Sequence, residues 1–295
     1  MNEMDISAEA CLDLGNLDAP VLLFGGPYSN LRATQAMRAE ADRLGIPADH
    51  VICTGDVVAY AAEPAATTEL IMNWGITTVM GNCEESFGWA ADDCGCGFEE
   101  GTDCDLMSRR WYAHAHQLLQ PNHRAWMRAL PRIVYFTLGG RRMAVVHGSV
   151  DSINEFVFEA GDDAVKRAGL DALAVDGVIG GHSGVPFTQI LDDRLWHNAG
   201  VIGMPANDGT PRVWYSVLRA GPDGIAVEHA ALDYDHAGAA AAMRADKLPE
   251  GYATCLETGL WPNMDVMPDA ERQKVGQVLS PSTVFWPTAK RTAAE

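Results

Sequence analysis

The chain has 295 residues, 47% of them hydrophobic, and a formal net charge of -19. It is long enough to bury a sizeable core as one large domain or two small ones, and its acidity works against nucleic acid or an anionic membrane surface as a general partner. A small anionic substrate stays open, because a bound metal ion reverses the local sign of the field.

The first residues, MNEMDISAEACLDLG, are acidic and lack the basic start and apolar stretch of a secretory signal. No apolar run approaches a membrane span. Seven cysteines in such a chain favour reduced thiols or metal ligands over a disulfide framework. The expectation is a cytoplasmic protein.

Short apolar runs then alternate with helical patterns. VLLFG precedes a helix over Leu31 to Leu44, HVICTG precedes PAATTELIMNWG, and ITTVMGN follows. That alternation predicts βαβαβ and a largely parallel sheet. A Gly-rich acidic loop comes next, CEESFGWAADDCGCGFEEGTDC, long enough to be functional or tied by metal. Helices are predicted over Asp105 to Gln120 and Asn122 to Leu130, with Trp111 and Trp126 at core spacing.

The second half reads as short strands: RIVYFTL, RRMAVVHG, DGVIGGH, FTQIL, RLWHNAG, RVWYSVLR and IAVEHAAL, with one helical piece over Ile153 to Gly169. Arg141 and Arg142 are expected to be solvated. Strands in both halves with helices distributed among them suggest an α/β protein of two packed sheets with helices outside. Beyond about Tyr234 the chain turns helical and Ala-rich, then reaches a Trp/Pro-containing tail that would cover a sheet edge or form a homodimer contact through TGLWPNMDVM.

Polar residues directly follow predicted strands at Gly55-Asp56, Gly81-Asn82, His147-Gly148 and Gly181-His182. Loops of α/β folds converge on ligands at such strand ends. One carboxylate, one amide oxygen and two imidazoles make a ligand set for a divalent transition metal such as Fe, Zn or Mn. Taken singly, Asp56 is a cap, Asn82 a turn and each histidine a hydrogen-bonded core residue; all four at strand ends point to a site.

In this order, these motifs resemble those of the calcineurin-like metallophosphoesterase superfamily, particularly its small bacterial phosphodiesterase branch. CTGDVVAYAAEP is similar to the family's Gly-Asp motif, VMGNCEE to its Gly-Asn-His-Asp/Glu motif, VVHGSV to its single-histidine strand end, and GGHSGVPF to its Gly-His-x-His motif. HNAGVIGMP resembles the Asn-x-Gly-Ser turn that follows. The resemblance covers roughly Val21 to Leu218. It implies a four-layer αββα sandwich, with residues 1–233 as the metallophosphoesterase-like domain, a Cys-rich loop at 83–104, and residues 234–295 as a helical extension packed on it.

The implied reaction is hydrolysis of a small phosphorylated metabolite by metal-activated water, with one or two ions. Asp56 matches the bridging carboxylate, and Asn82, His147 and His182 the remaining ligands of one metal position; Asn82 and His147 are also candidate catalytic residues. The second position is different. Gly26 and Tyr28 stand where the family has the aspartate and histidine of Asp-x-His, and Gly184 replaces the last histidine of Gly-His-x-His. Cys83 replaces the histidine of Gly-Asn-His, commonly assigned to leaving-group protonation, and its reference pKa of about 8.5 makes it a different acid.

Candidates to rebuild the lost half are the thiols Cys83, Cys94, Cys96 and Cys104, and Tyr28, which is also a candidate for contacting substrate, as is Ser149. Alternatively these cysteines form a separate zinc or iron-sulfur site with His114 or His116. Three readings follow: an atypical phosphoesterase, a noncatalytic metal-binding or scaffold protein on the same fold, and a thiolate-containing metal or redox centre.

Overall fold

The computed structural model describes residues 11–96 and 101–288, without the side chains of 103 and 104. Strands β1 (Cys11–Leu17), β2 (Val21–Phe24), β3 (Val51–Cys53) and β4 (Thr77–Thr78) come first, with helices α1 (Leu31–Leu44) and α2 (Pro64–Trp74) between them. Helices α3 (Asn82–Gly88), α4 (Asp103–Leu118) and α5 (Pro121–Arg128) follow. The hairpin β5 (Ile133–Leu138) and β6 (Arg141–Val145) leads through α6 (Asp163–Ala172) to β7 (Gly177–Gly180), β8 (Phe187–Leu191) and β9 (Arg194–Asn198). The long strands β10 (Val213–Gly221) and β11 (Gly224–Leu232) precede α7 (His236–Ala245), α8 (Glu250–Thr258), the short α9 (Asp269–Arg272) and β12 (Ser282–Pro287).

The strands make two mixed six-stranded sheets, ordered β1-β5-β6-β7-β9-β8 and β12-β11-β10-β2-β3-β4. The continuous apolar run of β2 has a direct cause. Val21 and Leu23 enter the core between the sheets, while Leu22 and Phe24 enter the core under the helices. A strand covered on both faces has no polar side to alternate with. The first sheet is likewise covered on its outer face, where Ala144 and Val178 pack with Leu170 of α6. The result is the expected sandwich flanked by helices.

Local signals set the helix ends. The Asn30 side chain caps α1 by accepting the Ala33 N–H at 3.1 Å, and Gly45 ends it in the left-handed conformation. Pro64 starts α2, where its missing N–H costs nothing. Ala33, Met37 and Ala41, spaced four apart, form the buried stripe of α1.

Three expectations need correction. The stretch after Asn82 opens as a helix, because the Glu84 side chain caps its first turn through the Gly81 N–H. The helix predicted from Ile153 forms only from Asp163, where Asp162 caps it by accepting the Ala164 N–H. Arg141 is buried rather than solvated: its guanidinium lies 4.6 Å from the Trp286 ring centroid and donates to the Asp193 carboxylate and the Pro287 carbonyl. The tail therefore does more than add helices, since β12 pairs antiparallel with β11 and closes that sheet edge.

Trp286 is 1% exposed, belongs to the core between the sheets and donates its indole N–H to the Asp193 carbonyl at 2.9 Å. Trp286→Ala is expected to cost about 3–5 kcal/mol of unfolding free energy. Urea denaturation reads this directly, and a loss below about 1 kcal/mol would show that β12 is not part of the cooperative core.

Candidate metal centre and its aromatic neighbour

The parallel strands of both sheets aim their carboxyl ends at one edge of the sandwich. Asp56 follows β3, Asn82 follows β4, His147 follows β6 and His182 follows β7. All four are buried. His147 Nε2 lies 3.1 Å from Asp56 Oδ2, 3.1 Å from Asn82 Oδ1 and 3.1 Å from His182 Nδ1. His182 Nδ1 is 3.8 Å from Asp56 Oδ2. Among the described residues, Asp56, His147 and His182 are the group of three or more His, Cys, Asp or Glu side chains whose ligand atoms lie within 4.8 Å of one another.

The orientation of each donor is fixed from behind. His147 Nδ1 must carry a hydrogen, because its partner at 2.6 Å is the Thr54 carbonyl, which can only accept. Its Nε2 is thereby turned to the centre. Asn82 donates through Nδ2 to the Cys94 carbonyl at 2.9 Å, so its Oδ1 faces inward. Two oxygens and two nitrogens thus present lone pairs to one point with too few protons to pair them. Ligand bonds of about 2.0–2.2 Å place neighbouring donors about 3–3.5 Å apart, so the observed spacing and the mixed N/O set both fit a divalent transition ion.

The electrostatics agree. Burial works against the Asp56 charge, yet His147 and His182 hold that carboxyl far below its ordinary range. Burial also opposes a charge on His147, but Asp56 outweighs it and raises the imidazole pKa. Burial lowers the pKa of His182, keeping that ring neutral and able to donate a lone pair.

Glu84 lies inside VMGNCEE, a stretch whose sequence alone assigns it no role. Fully buried, it accepts the backbone N–H groups of Asp56 at 2.7 Å, Val57 at 2.8 Å and Gly81 at 3.0 Å. It therefore pins the loop after β3 to the loop after β4. Burial, followed by the charge of Asp56, pushes its carboxyl up to about 7. Asp56 and His182 both sit in the left-handed backbone region, with φ of 56° and 57°. Such strain costs on the order of 1–3 kcal/mol per residue and persists where surrounding bonds over-determine it.

Gly26 and Gly184, which the sequence resemblance places at ligand positions, each face an aromatic ring. A Cβ built on Gly26 would overlap the ring of Tyr28, which lies 2.7 Å from it at Cε1 and Cε2. At Gly184 a Cβ would meet the Trp261 ring at 3.3 Å. Aromatic carbon occupies the space at these two ligand positions. Burial, then the nearby Asp56 charge, raises the Tyr28 pKa well above its ordinary value, so it stays a neutral phenol.

Cys94 and Cys96 are paired with each other as a disulfide; Cys104 lies outside the described side chains. Cys96 Sγ accepts from Asn82 Nδ2 at 3.5 Å, behind the metal-facing oxygen. His114 is engaged elsewhere, donating from Nε2 to the Ala62 carbonyl at 3.0 Å, and His116 packs near Tyr112. Cys83 is a buried thiol whose pKa burial raises well above normal, with the charge of Asp56 adding to the effect. Ser149 Oγ accepts the N–H groups of Asp151 and Ser152 and so closes a turn.

A two-sheet sandwich with metal-ligand chemistry at converging strand ends defines a class of phosphoester-processing metalloproteins. Residues 29–220 match the family model of the calcineurin-like phosphoesterase superfamily domain, and the chain belongs to that superfamily. Comparison with curated proteins finds no match. Among solved structures, a hypothetical protein from Pyrococcus horikoshii is similar at 16% identity and a TM-score of 0.70, covering 83% of this chain and 100% of its own. A metallophosphoesterase from Sphaerobacter thermophilus is similar at 23% identity and a TM-score of 0.64, again covering 83% of this chain and 100% of its own.

Two outcomes follow for the centre. A proton on His147 Nε2 competes for the atom an ion needs, so apparent Zn affinity is expected to fall as pH drops through the raised His147 pKa, with proton release on binding. Calorimetry in buffers of different ionisation enthalpy measures that release, and pH-independent affinity would contradict it. Glu84→Gln is expected to weaken Zn binding on the order of 10–100-fold above neutral pH. Unchanged affinity would deny Glu84 a positioning role.

Proposed function

We propose that this protein is a metal-dependent phosphoesterase that works with one resident ion, held by Asp56, Asn82, His147 and His182, on a small phosphorylated substrate. The observation that carries the reading is the convergence of those four lone-pair donors at the strand ends. A divalent ion there, Zn, Fe or Mn by the donor set, would polarise a phosphoryl oxygen and lower the pKa of a neighbouring water. Water adds to phosphorus, the ester P–O bond breaks, and the leaving oxygen takes up a proton.

The chain's own residues divide the remaining work. Glu84 and the Thr54 carbonyl keep the donors aimed, which spares the site reorganisation during reaction. Tyr28 borders the open side of the centre beside His182 and keeps its proton, so its hydroxyl is suited to donate a hydrogen bond to the phosphoryl or leaving oxygen. Cys83 is absent from that cavity wall, which makes it the weaker candidate for contact with the leaving group.

The noncatalytic reading draws on the same filling of Gly26 and Gly184 by aromatic rings, so turnover separates the two. Protein purified without added metal is expected to carry about one equivalent of transition metal, lost in His147→Ala, and to release p-nitrophenol from bis-p-nitrophenyl phosphate. Tyr28→Phe is expected to keep the metal while lowering kcat on the order of 100-fold; Cys83→Ser should change kcat little. Two equivalents would overturn the one-ion centre, and metal without turnover would favour the noncatalytic protein.

A further inference from the structure

Beside the centre lies a partly open cavity of about 70 Å³. Its walls include Tyr28, Tyr60, Phe156, Tyr252, Trp261 and His182. His182 belongs to both sites: its ring is 5.0 Å from that of His147 on one side and 4.2 Å from that of Phe156 on the other. His182 therefore stands between the cavity and the other donors of the candidate metal centre. Tyr60 packs edge-on against Tyr28 at 4.9 Å and lies 4.7 Å from Tyr252, which forms a fixed wall of rings.

Trp261 is held as firmly. Its indole N–H donates to the Pro205 carbonyl at 2.7 Å and its backbone N–H to Asn207 Oδ1 at 2.8 Å. Among the described residues, no Lys or Arg lines the cavity. A second phosphate or other anionic group would enter with no cation to meet it, in a protein of net charge -19. A planar uncharged ring loses no charge hydration on entry and meets aromatic faces and edges.

We infer that this cavity binds a planar, uncharged aromatic ring carried by the alcohol side of the phosphate ester, so that the substrate is an ester with an aromatic leaving or flanking group. This rests on the phosphoesterase reading above. The same positions explain both departures: Gly26 and Gly184 lack side chains where Tyr28 and Trp261 press in, and a ring-binding surface stands where the family holds a second ion.

The test is binding of phenylphosphonate and methylphosphonate, two non-hydrolysable probes, to the full chain reconstituted with manganese, measured by calorimetry. Phenylphosphonate is expected to bind at least about tenfold more tightly. In Trp261→Ala the ratio should fall toward one through loss of phenylphosphonate affinity. Val266→Trp, which fills cavity space from the wall without removing a ring, should lower the ratio by the same route and serves if the Trp261 variant does not fold. Equal binding of the two probes by the unmodified protein, or an aryl preference that survives both substitutions, overturns the inference and leaves the phosphoesterase reading standing. Failure of methylphosphonate to bind overturns that reading, and this inference with it.

Discussion

Asp56 Oδ2, Asn82 Oδ1 and His182 Nδ1 each lie 3.1 Å from His147 Nε2, with Asp56 Oδ2 and His182 Nδ1 3.8 Å apart, and the group shares too few protons to satisfy all its members. That imbalance is the constraint around which this edge of the sandwich is built. Burial would ordinarily drive such groups apart or neutralise them. Here the backbone prevents it: strands from both sheets deliver the donors, the Thr54 carbonyl orients His147, the Cys94 carbonyl orients Asn82, and Glu84 ties the first two loops together. The strained conformations of Asp56 and His182 fit this picture, since folding energy from the two-sheet core maintains an arrangement that isolated loops would abandon.

The glycines of the strand ends follow from the same crowding. A side chain on Gly81 would run into the Asp56 carboxylate and into the backbone N–H of Asp56 at 2.6 Å. Glycine there lets the β4 loop approach the β3 loop closely enough for one carboxylate, Glu84, to accept N–H groups from both. Position in the fold, local backbone chemistry and donor geometry are thus one problem with one solution.

Much of this was legible in the sequence because its causes are local. Burial on both faces makes β2 and β3 uniformly apolar, so they read as buried strands, and α1 carries its cap, its Met37 stripe and its terminal glycine within a single stretch. The four donors announced themselves by following apolar runs. What stayed hidden depends on distant partners. The strand Ser282–Pro287 has little alternation to read, because Trp286 faces the core while its other residues are half-buried or exposed. Arg141 looked solvated because its aromatic and carboxylate partners come from elsewhere in the chain. Trp261 carried no signal of its place beside Gly184, and Glu84 none of its three bonds to backbone, although it lay inside a quoted motif.

The first strand's glycine turn shows why a missing ligand is not by itself decay. Loss of a side chain at Gly26 and Gly184 would leave a cavity if nothing else changed, and unfilled apolar space costs stability. Instead Tyr28 folds back over Gly26 and Trp261 closes on Gly184, each anchored by contacts outside the centre: Tyr28 through its N–H to the Asp56 carbonyl and its edge contact with Tyr60, Trp261 through Pro205 and Asn207. The aromatic wall and the donor cluster share His182, so packing on one side of that ring bears on its orientation on the other. Tyr28 and Trp261 thus belong to one aromatic wall with His182, directly beside the Asp56, Asn82 and His147 side chains.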